Sequence, residues 1–457
     1  MRRLLLAVGA LALCASGARG GELWTGDAGS LEWSGSLRQI VSWTQGTDPR
    51  DFARAVARSL PSLDCIQALR FARCPAFAVV GGKDALEGLT RLRLRLDGAL
   101  GSELSATVIY DHELHTFQSE RLAGDLAEDL TGGSFLGAEG TLVQADHLRW
   151  SHRLYRGFLH YTGRHLEARL GRQRIAWGVG RLWNPIDRFN AIPPLSIEPD
   201  QSRGVDALDL RWLIDDFDTL QAIYAPGSSR QRARYALRLH GLAHDLDYSL
   251  VAGVFERAVT LGANLAGNLG DAAFGFELVW TDPHRDIWPI GERSPEGLDA
   301  YWQAVAFVNT NLPVGSGLTF LVEHLYNGNA LGFGKGRAGP LLELFSSTED
   351  PPPGVPAALG PFPAGTDSAR FGGSRVISFA RNQTGVQLGY DLTAALRGNL
   401  VAIYDWNGHS AAFFPVLSYT GWNALEITAG VQLFVGPRHS QYGSAQPLAF
   451  VLAEVFF

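Results

Sequence analysis

The stretch ALEITAGVQLF, residues 424–434, repeats its chemistry every two residues. One face of the repeat is apolar, and the residues between are polar or small: Leu425, Ile427, Ala429, Val431 and Leu433 against Glu426, Thr428, Gly430 and Gln432. Successive side chains of a β-strand point to opposite faces of the sheet, so the pattern predicts a strand with one apolar face. The stretch TRLRLRLD, residues 90–97, alternates in the same way.

The same alternation continues to the C-terminal residue and predicts eighteen strands. They lie near 31–43, 89–99, 103–112, 155–162, 165–173, 204–214, 218–226, 231–241, 245–256, 258–267, 271–281, 299–310, 316–326, 383–392, 398–407, 410–420, 423–434 and 447–457. A soluble β-sandwich also alternates, so strands alone do not establish a membrane protein.

The connections between these strands separate the two possibilities. Every second connection is short, and all the long segments fall on the other set: 44–88, 113–154, 174–203, 282–298 and 327–382. One end of the structure therefore carries only short turns and the other carries all the long loops, as in bacterial outer-membrane barrels with short periplasmic turns and long extracellular loops. The sequence predicts an all-β fold, a transmembrane antiparallel β-barrel of about 18 strands, with both termini in the periplasm.

The two ends of the chain carry export signals. Residues 1–20 combine Arg2 and Arg3 with an apolar run and small residues, which predicts a signal peptide followed by a barrel at 21–457. The terminal Phe457 resembles the signal that outer-membrane proteins present to the barrel-assembly machinery. The predicted partners are therefore the lipid of the outer membrane and this assembly machinery. The expected location is the outer membrane of a Gram-negative bacterium.

Composition and motifs exclude several classes of function. The net charge of −7 argues against a nucleic-acid partner. No HExxH, GxSxG or Walker A pattern occurs, so the chain is not expected to be an enzyme. Cys65 and Cys74 fit no zinc spacing and are predicted to form a disulfide in an oxidising compartment. No metal site and no cofactor are expected.

In a closed barrel with apolar residues facing lipid, the polar faces of the strands line the lumen. Basic residues are concentrated on the early strands and acidic residues on the later ones. This distribution predicts an electric field across the lumen. The alternative is that the charges pair locally, with Glu167 and Asp97 as partners of nearby arginines. The predicted pore-lining residues on the strands are Arg91, Arg93, Arg95, Arg169, Arg172, Arg232, Arg234, Arg238, Glu277, Glu323, Asp405 and Glu426.

The segment at residues 171–210 has an unusual composition, because it is rich in Trp, Pro and Arg. Its aromatic residues would be costly in water, and its charges would be costly in lipid. A loop folded into the lumen satisfies both, so residues 174–203 are predicted to form a constriction, with Arg174, Arg181 and Asp187 on the pore. The alternative is a lid over the extracellular mouth. Residues 327–382, rich in Pro and Gly, are predicted to form a long extracellular loop.

The motif GRQRIAWGVGRLWNP, residues 171–185, resembles a segment of porin-like Gram-negative barrels that include the alginate-export type. The resemblance is close over about forty residues and architectural elsewhere. It implies an outer-membrane channel or exporter, with Arg172, Arg174 and Arg181 in the pore, and it identifies no substrate.

These observations predict a porin-like channel for diffusion of small polar or charged solutes. Two alternatives involve partner proteins: a conduit that exports a polymer or lipid with periplasmic partners, and a sheath around a separate multihaem cytochrome for electron transfer across the membrane.

Overall fold

The computed structural model describes residues 20–45, 84–117, 135–145, 147–190, 194–201, 204–227, 233–255, 258–282, 300–330, 378, 380–437, 440–443 and 445–457. All eighteen predicted strands are present, and two short strands, β1 and β5, were not predicted. The strands are β1 Gly21–Gly26, β2 Gly29–Thr44, β3 Ala85–Leu100, β4 Leu104–Phe117, β5 Glu139–Ala145, β6 Leu148–Thr162, β7 Leu166–Gln173, β8 Val205–Leu213, β9 Thr219–Ala225, β10 Arg234–Ala243, β11 Leu246–Phe255, β12 Ala258–Leu269, β13 Ala272–Asp282, β14 Tyr301–Leu312, β15 Leu318–Asn327, β16 Asn382–Asp391, β17 Leu396–Asp405, β18 Ser410–Trp422, β19 Leu425–Val435 and β20 Leu448–Phe456.

Eighteen of the strands close into one antiparallel barrel. Each barrel strand pairs with the next along the chain, β4 pairs directly with β6, and β2 pairs with β20 to complete the ring. The prediction of an 18-stranded antiparallel barrel is confirmed. No helix in the described part of the chain is long and apolar enough to span a membrane.

The two additional strands extend the wall at opposite ends. β1 folds back on the start of β2, at the end of the barrel that carries the short turns. β5 pairs with β6 beyond the point where β7 stops, at the end that carries the long connections. Both are short, and each carries a register irregularity. Neither forms part of the ring.

The outer surface of the barrel is apolar. Large side chains that alternate with buried ones along the strands are exposed, among them Leu94, Leu159, Leu237, Leu261 and Leu417. Such exposure would be costly in water and is the surface that lipid requires. Exposed aromatic residues occur near both strand ends, as in the interface girdles of membrane barrels: Trp43, Trp150, Tyr224, Trp302 and Tyr404 at one end, and Tyr161, Trp212 and Trp422 at the other.

The C-terminal residue closes the seam between the first and last barrel strands. The backbone of Phe457 exchanges two hydrogen bonds with that of Gly35 on β2. Its ring lies over Gly35, where an added Cβ would be 2.5 Å from Cε2 of the ring. A larger residue at position 35 would therefore displace the ring. A role of Phe457 in recognition by the assembly machinery stays a prediction.

Candidate pore constriction

Residues 174–190 and 194–201, which follow β7 and are called the inserted segment, pack against the inner face of the wall. Ile175, Trp177, Ile186 and Phe189 are 1–7% exposed. They form one cluster with inward residues of β8 to β13, namely Ala207, Ile223, Ala225, Ala236, Val251, Phe255 and Val279. Ile223 is buried while its neighbour Tyr224 is 43% exposed on the outer face, so the cluster lies inside the barrel.

The segment continues across the lumen to later strands. Leu182 and Trp183 pack with inward residues of β14 to β18 in a second cluster: Val305, Phe307, Leu321, Leu325, Ile403 and Ala412. Leu195 and Ile197 then reach a third cluster on β2, β18 and β20, which contains Ile40, Phe414, Phe450 and Leu452. Gln432 on β19 donates to the Leu195 carbonyl at 2.6 Å. The segment therefore contacts most of the inner circumference.

Two wall carboxylates bind the backbone of the segment. Glu277 on β13 accepts from the amides of Val179, of Gly180 at 2.6 Å and of Ile186 at 3.3 Å. Glu323 on β15 accepts from the amides of Arg181 at 2.6 Å, Leu182 at 3.0 Å and Trp183 at 2.7 Å. Both glutamates are fully buried. We call this arrangement the carboxylate clamp.

The far end of the segment is held by arginines of β2 and β3. Arg38 contacts Glu198 at 2.6 Å and Asp200 at 3.0 Å, and it also contacts Glu454 of β20 at 2.5 Å. Arg91 contacts the same Glu198 at 2.6 Å and Glu113 of β4 at 2.6 Å. We call this group the arginine anchor.

The anchor alters the acidity of Asp200. Partial burial would raise the pKa of this carboxyl, but the hydrogen bond from Arg38 and its positive charge outweigh burial and hold the pKa below its ordinary value. The ion pair with Arg38 therefore contributes stability above the ordinary pKa of Asp, and that contribution is lost as the pH falls through the lowered pKa. The ion pair between Arg38 and Asp200 therefore stays charged at neutral pH.

Beside the anchor, basic and acidic side chains alternate. Asp111 accepts from Arg93 at 2.7 Å and from Arg153 at 3.4 Å. The Arg93 guanidinium also stacks on the Tyr155 ring, 3.7 Å from its centroid, and Tyr155 donates to the Asp200 carbonyl. The wall at β3 to β6 is thus a mixed-charge surface. The prediction of a uniformly cationic early wall is wrong here, because Asp111 and Glu113 neutralise the arginines locally.

Several predicted pore-lining residues are shielded from water. Glu277 and Glu323 are covered by the segment, and Arg91 is 5% exposed within the anchor. Asp405 accepts from the amides of Asn407 and Gly408 and caps the β17–β18 turn. For these residues the structure corrects the prediction: they face inward, but their polar atoms bind protein groups.

Asp187 is another predicted pore residue that the structure buries. Its carboxylate accepts from the amides of Phe189 and Asn190, at 3.1 and 2.7 Å. Burial raises the pKa of Asp187 to about 7, although these two hydrogen bonds and the charges of Arg174 and Arg234 favour the ionised form. It stabilises a turn of the segment and does not line the path.

Arg172 does not line the pore, so that prediction is wrong. It lies three residues from the inward Arg169 and shares the face of Leu170, which is 59% exposed on the outside. Its guanidinium bridges the Leu154 carbonyl on β6 and Asp206 on β8, each at 2.8 Å, beside the end of β7. Arg172 therefore links β6 to β8 at the point where β7 ends and the inserted segment begins.

Other predicted residues remain candidates for the water-filled path. Arg95 and Glu426 are exposed, and Arg95 is paired with Asp97 as the local-pairing alternative expected. Arg93, Arg169, Arg234 and Arg238 are partly exposed, and Arg174 and Arg181 of the segment are exposed. Within the described residues, no carboxylate oxygen lies within 4.0 Å of the guanidinium groups of Arg169, Arg174, Arg181 and Arg238.

Some predictions fall outside the described residues. They are the signal peptide, whose residues 1–19 are not described, Arg232, the Cys65–Cys74 disulfide and most of 327–382. Among the residues that the structure describes, no group of three or more His, Cys, Asp or Glu side chains is arranged to hold a metal ion.

Four of the anchor residues were the main omission of the sequence interpretation: Arg38, Glu113, Glu198 and Asp200. Arg91 was among the predicted pore-lining residues, and Glu454 belongs to the acidic residues expected on the inner face of the later strands. Arg38 lies on the polar face of a predicted strand, and this position was its only signal. Glu113 lies just beyond the predicted end of its strand, and Glu198 and Asp200 lie in the inserted segment. Their pairing depends on how the segment crosses the lumen, which no local pattern encodes.

The sequence matches no protein-family model, and it matches no curated protein. Solved structures are similar in fold. OccK9 (OpdG) of Pseudomonas aeruginosa aligns over 94% of this chain and 99% of its own, with 11% identity and a TM-score of 0.52. OccK5 (OpdH) of the same species aligns over 93% and 98%, with 8% identity and a TM-score of 0.50.

OpdK of Pseudomonas aeruginosa, in a structure with vanillate, aligns over 93% of this chain and 98% of its own, with 9% identity and a TM-score of 0.50. At such low identity these likenesses concern the fold alone. The closed 18-stranded ring, its apolar outer surface and its two aromatic girdles define the class: a bacterial outer-membrane β-barrel. These likenesses do not show membership of the alginate-export type.

Proposed function

We propose that the protein is a porin-like channel through which small polar or charged solutes diffuse across the outer membrane. The observation that carries this proposal is the inserted segment 174–201. It lines the lumen over most of its circumference and leaves Arg174 and Arg181 exposed. An 18-stranded barrel is wide enough for an aqueous passage, and a loop against its wall narrows that passage.

The charges exposed beside the passage favour anionic solutes. Arg169, Arg174, Arg181 and Arg238 have no carboxylate at ion-pair distance within the described residues, whereas Arg91 and Arg93 are paired. Unpaired cations along a passage attract anions and repel cations. Vanillate, present in the OpdK structure, carries a carboxylate and is one anionic probe.

Selectivity provides the test of the charged passage. We expect the double variant Arg174→Ala/Arg181→Ala to shift the reversal potential in a salt gradient towards cation preference, because two exposed positive charges are lost from the constriction. The measurement is made on single channels in a planar bilayer. Arg397→Ala is the control, since Arg397 lies at the short-turn rim and is paired with Asp391 at 2.8 Å. A reversal potential equal to that of the unmodified protein would contradict the role of Arg174 and Arg181.

The partner-dependent alternatives receive less support. The inserted segment occupies lumenal volume, so a sheath around a cytochrome would require the segment to leave its three apolar clusters. The resemblance of residues 171–185 to alginate-export-type barrels makes polymer export a second hypothesis. A polymer chain would pass only if the segment moved, and its contacts with the wall weigh against this.

A further inference from the structure

Five consecutive backbone amides of the inserted segment, those of residues 179–183, donate to side chains of the barrel wall. This part of the segment has no regular secondary structure. Buried amides that lack a partner in a helix or sheet need another acceptor, and an unpaired buried amide costs about 1–3 kcal/mol. The two glutamates of the carboxylate clamp supply that acceptor for all five.

The dependence between the segment and the clamp is mutual. Glu277 and Glu323 are fully buried, and the hydrogen bonds of their carboxylates that the structure records all come from the segment. A buried carboxylate is tolerated only where hydrogen bonds or charges replace its lost hydration. If the segment left the wall, both carboxylates would lose these donors and the amides would lose their acceptors.

The sequence of the segment suits this close approach. Gly178 has a φ of +89°, and an added Cβ would lie 1.9 Å from Oδ1 of Asn184 and 2.5 Å from Oε1 of Glu277. Only glycine adopts this conformation without strain and leaves room for the carboxylate. The GVG portion of the GRQRIAWGVGRLWNP motif thus has a physical role, because it lets the backbone wrap around Glu277.

We propose that Glu277 and Glu323 are positioning residues that fix residues 178–186 against the wall and thereby hold the width of the passage constant. The proposal rests on the proposed channel function, because the width of a passage matters only if solutes use it. The two residues act through the backbone they hold and not by contact with solute.

The first test is the double variant Glu277→Gln/Glu323→Gln. Glutamine keeps the volume of the side chain, but it offers one acceptor oxygen and presents an amide NH₂ group to backbone donors. We expect the segment to detach and reattach, so that open-channel current noise in a planar bilayer rises severalfold and new conductance levels appear. The control Glu22→Gln/Glu103→Gln makes the same chemical change at two exposed sites near the short-turn end and is expected to give a steady current.

The second test restores the attachment by a covalent bond. An ideal Cβ at Gly262 on β12 lies 3.4 Å from Cγ1 of Ile186, so the side chains of cysteines at the two positions would be in contact, as a disulfide requires. In the double-glutamine background, Ile186→Cys/Gly262→Cys should give a steady current when oxidised and a noisy current after reduction. If the two glutamines raised the noise only by disturbing the barrel itself, the disulfide would not restore a steady current.

Trypsin provides a readout that does not depend on conduction. Arg181 is exposed, but its amide is held by Glu323, so cleavage after Arg181 should be slow in the unmodified protein and at least about tenfold faster in the double-glutamine variant, where local opening costs less. If the glutamine variants fail to fold, Gly178→Ala perturbs the clamp from the segment and leaves the strands unchanged. It should show the same noise and cleavage.

The outcomes separate the two proposals. Unchanged noise together with unchanged cleavage in a folded variant would overturn the clamp. An unmodified protein that conducts no ions would refute the channel instead, and the cleavage rates would still decide whether the clamp holds the segment.

Discussion

Replacing residues 175–202 by a short Gly/Ser linker is expected to raise single-channel conductance several times. The segment lies against most of the inner wall, so its removal widens the narrowest cross-section of an 18-stranded barrel. The linker is feasible because Gln173 of β7 and Val205 of β8 are paired neighbours. Strands pair about 4.8 Å apart, a gap that a few residues bridge.

A matched control inserts the same linker into the two-residue turn between β12 and β13. That turn is at the short-turn end, opposite to the end at which the segment leaves β7, so conductance should stay at the unmodified level. A folded deletion variant with unmodified conductance would mean that the replaced residues do not limit the passage, and the proposed constriction would be wrong.

Substitution Arg38→Ala is expected to produce the largest loss of stability of any single change to the arginine anchor. It leaves Glu454 and Glu198, whose side chains are 9% and 17% exposed, without one of their cations. Breaking a buried ion pair by removing one partner costs about 3–5 kcal/mol. Asp200 adds little, because its side chain is 59% exposed and solvent screens the pair. The measurement is the urea midpoint of the protein in lipid vesicles.

The control for this variant is again Arg397→Ala. Arg397 and Asp391 are 43% and 50% exposed, and exposed pairs contribute about 0–1 kcal/mol. Equal midpoints for the two variants would show that the anchor is energetically no different from a surface pair. In that case the far end of the segment would be held by the apolar contacts of Leu195 and Ile197 alone.

The barrel was predictable from the sequence because its signal is local and repeated. Each strand carries its own alternation, as at residues 424–434, and the spacing of the long connections gives the orientation. β1 and β5 escaped detection for the converse reason. The stretches GELWTG and EGTLVQA are short, each is interrupted by a register irregularity, and most of their residues are exposed on both faces.

The site was only partly predictable, because its contacts join residues distant in sequence. Composition placed the segment inside the lumen, and alternation placed Glu277 and Glu323 on the inner face. Neither composition nor alternation could show that the segment and the two glutamates are in contact, because Glu323 and Arg181 are 142 residues apart in the sequence. Arg172 shows a different kind of error: it was grouped with Arg169 by chemistry, although residues three apart on a strand face opposite sides.

We expect the protein to conduct small solutes through a lumen narrowed by its inserted segment. Single-channel recording of the purified protein in a planar bilayer, in a gradient of potassium chloride, tests this expectation most directly. We predict a steady open conductance with anion preference. A barrel that migrates as a folded species on unheated gels yet passes no current would contradict the claim.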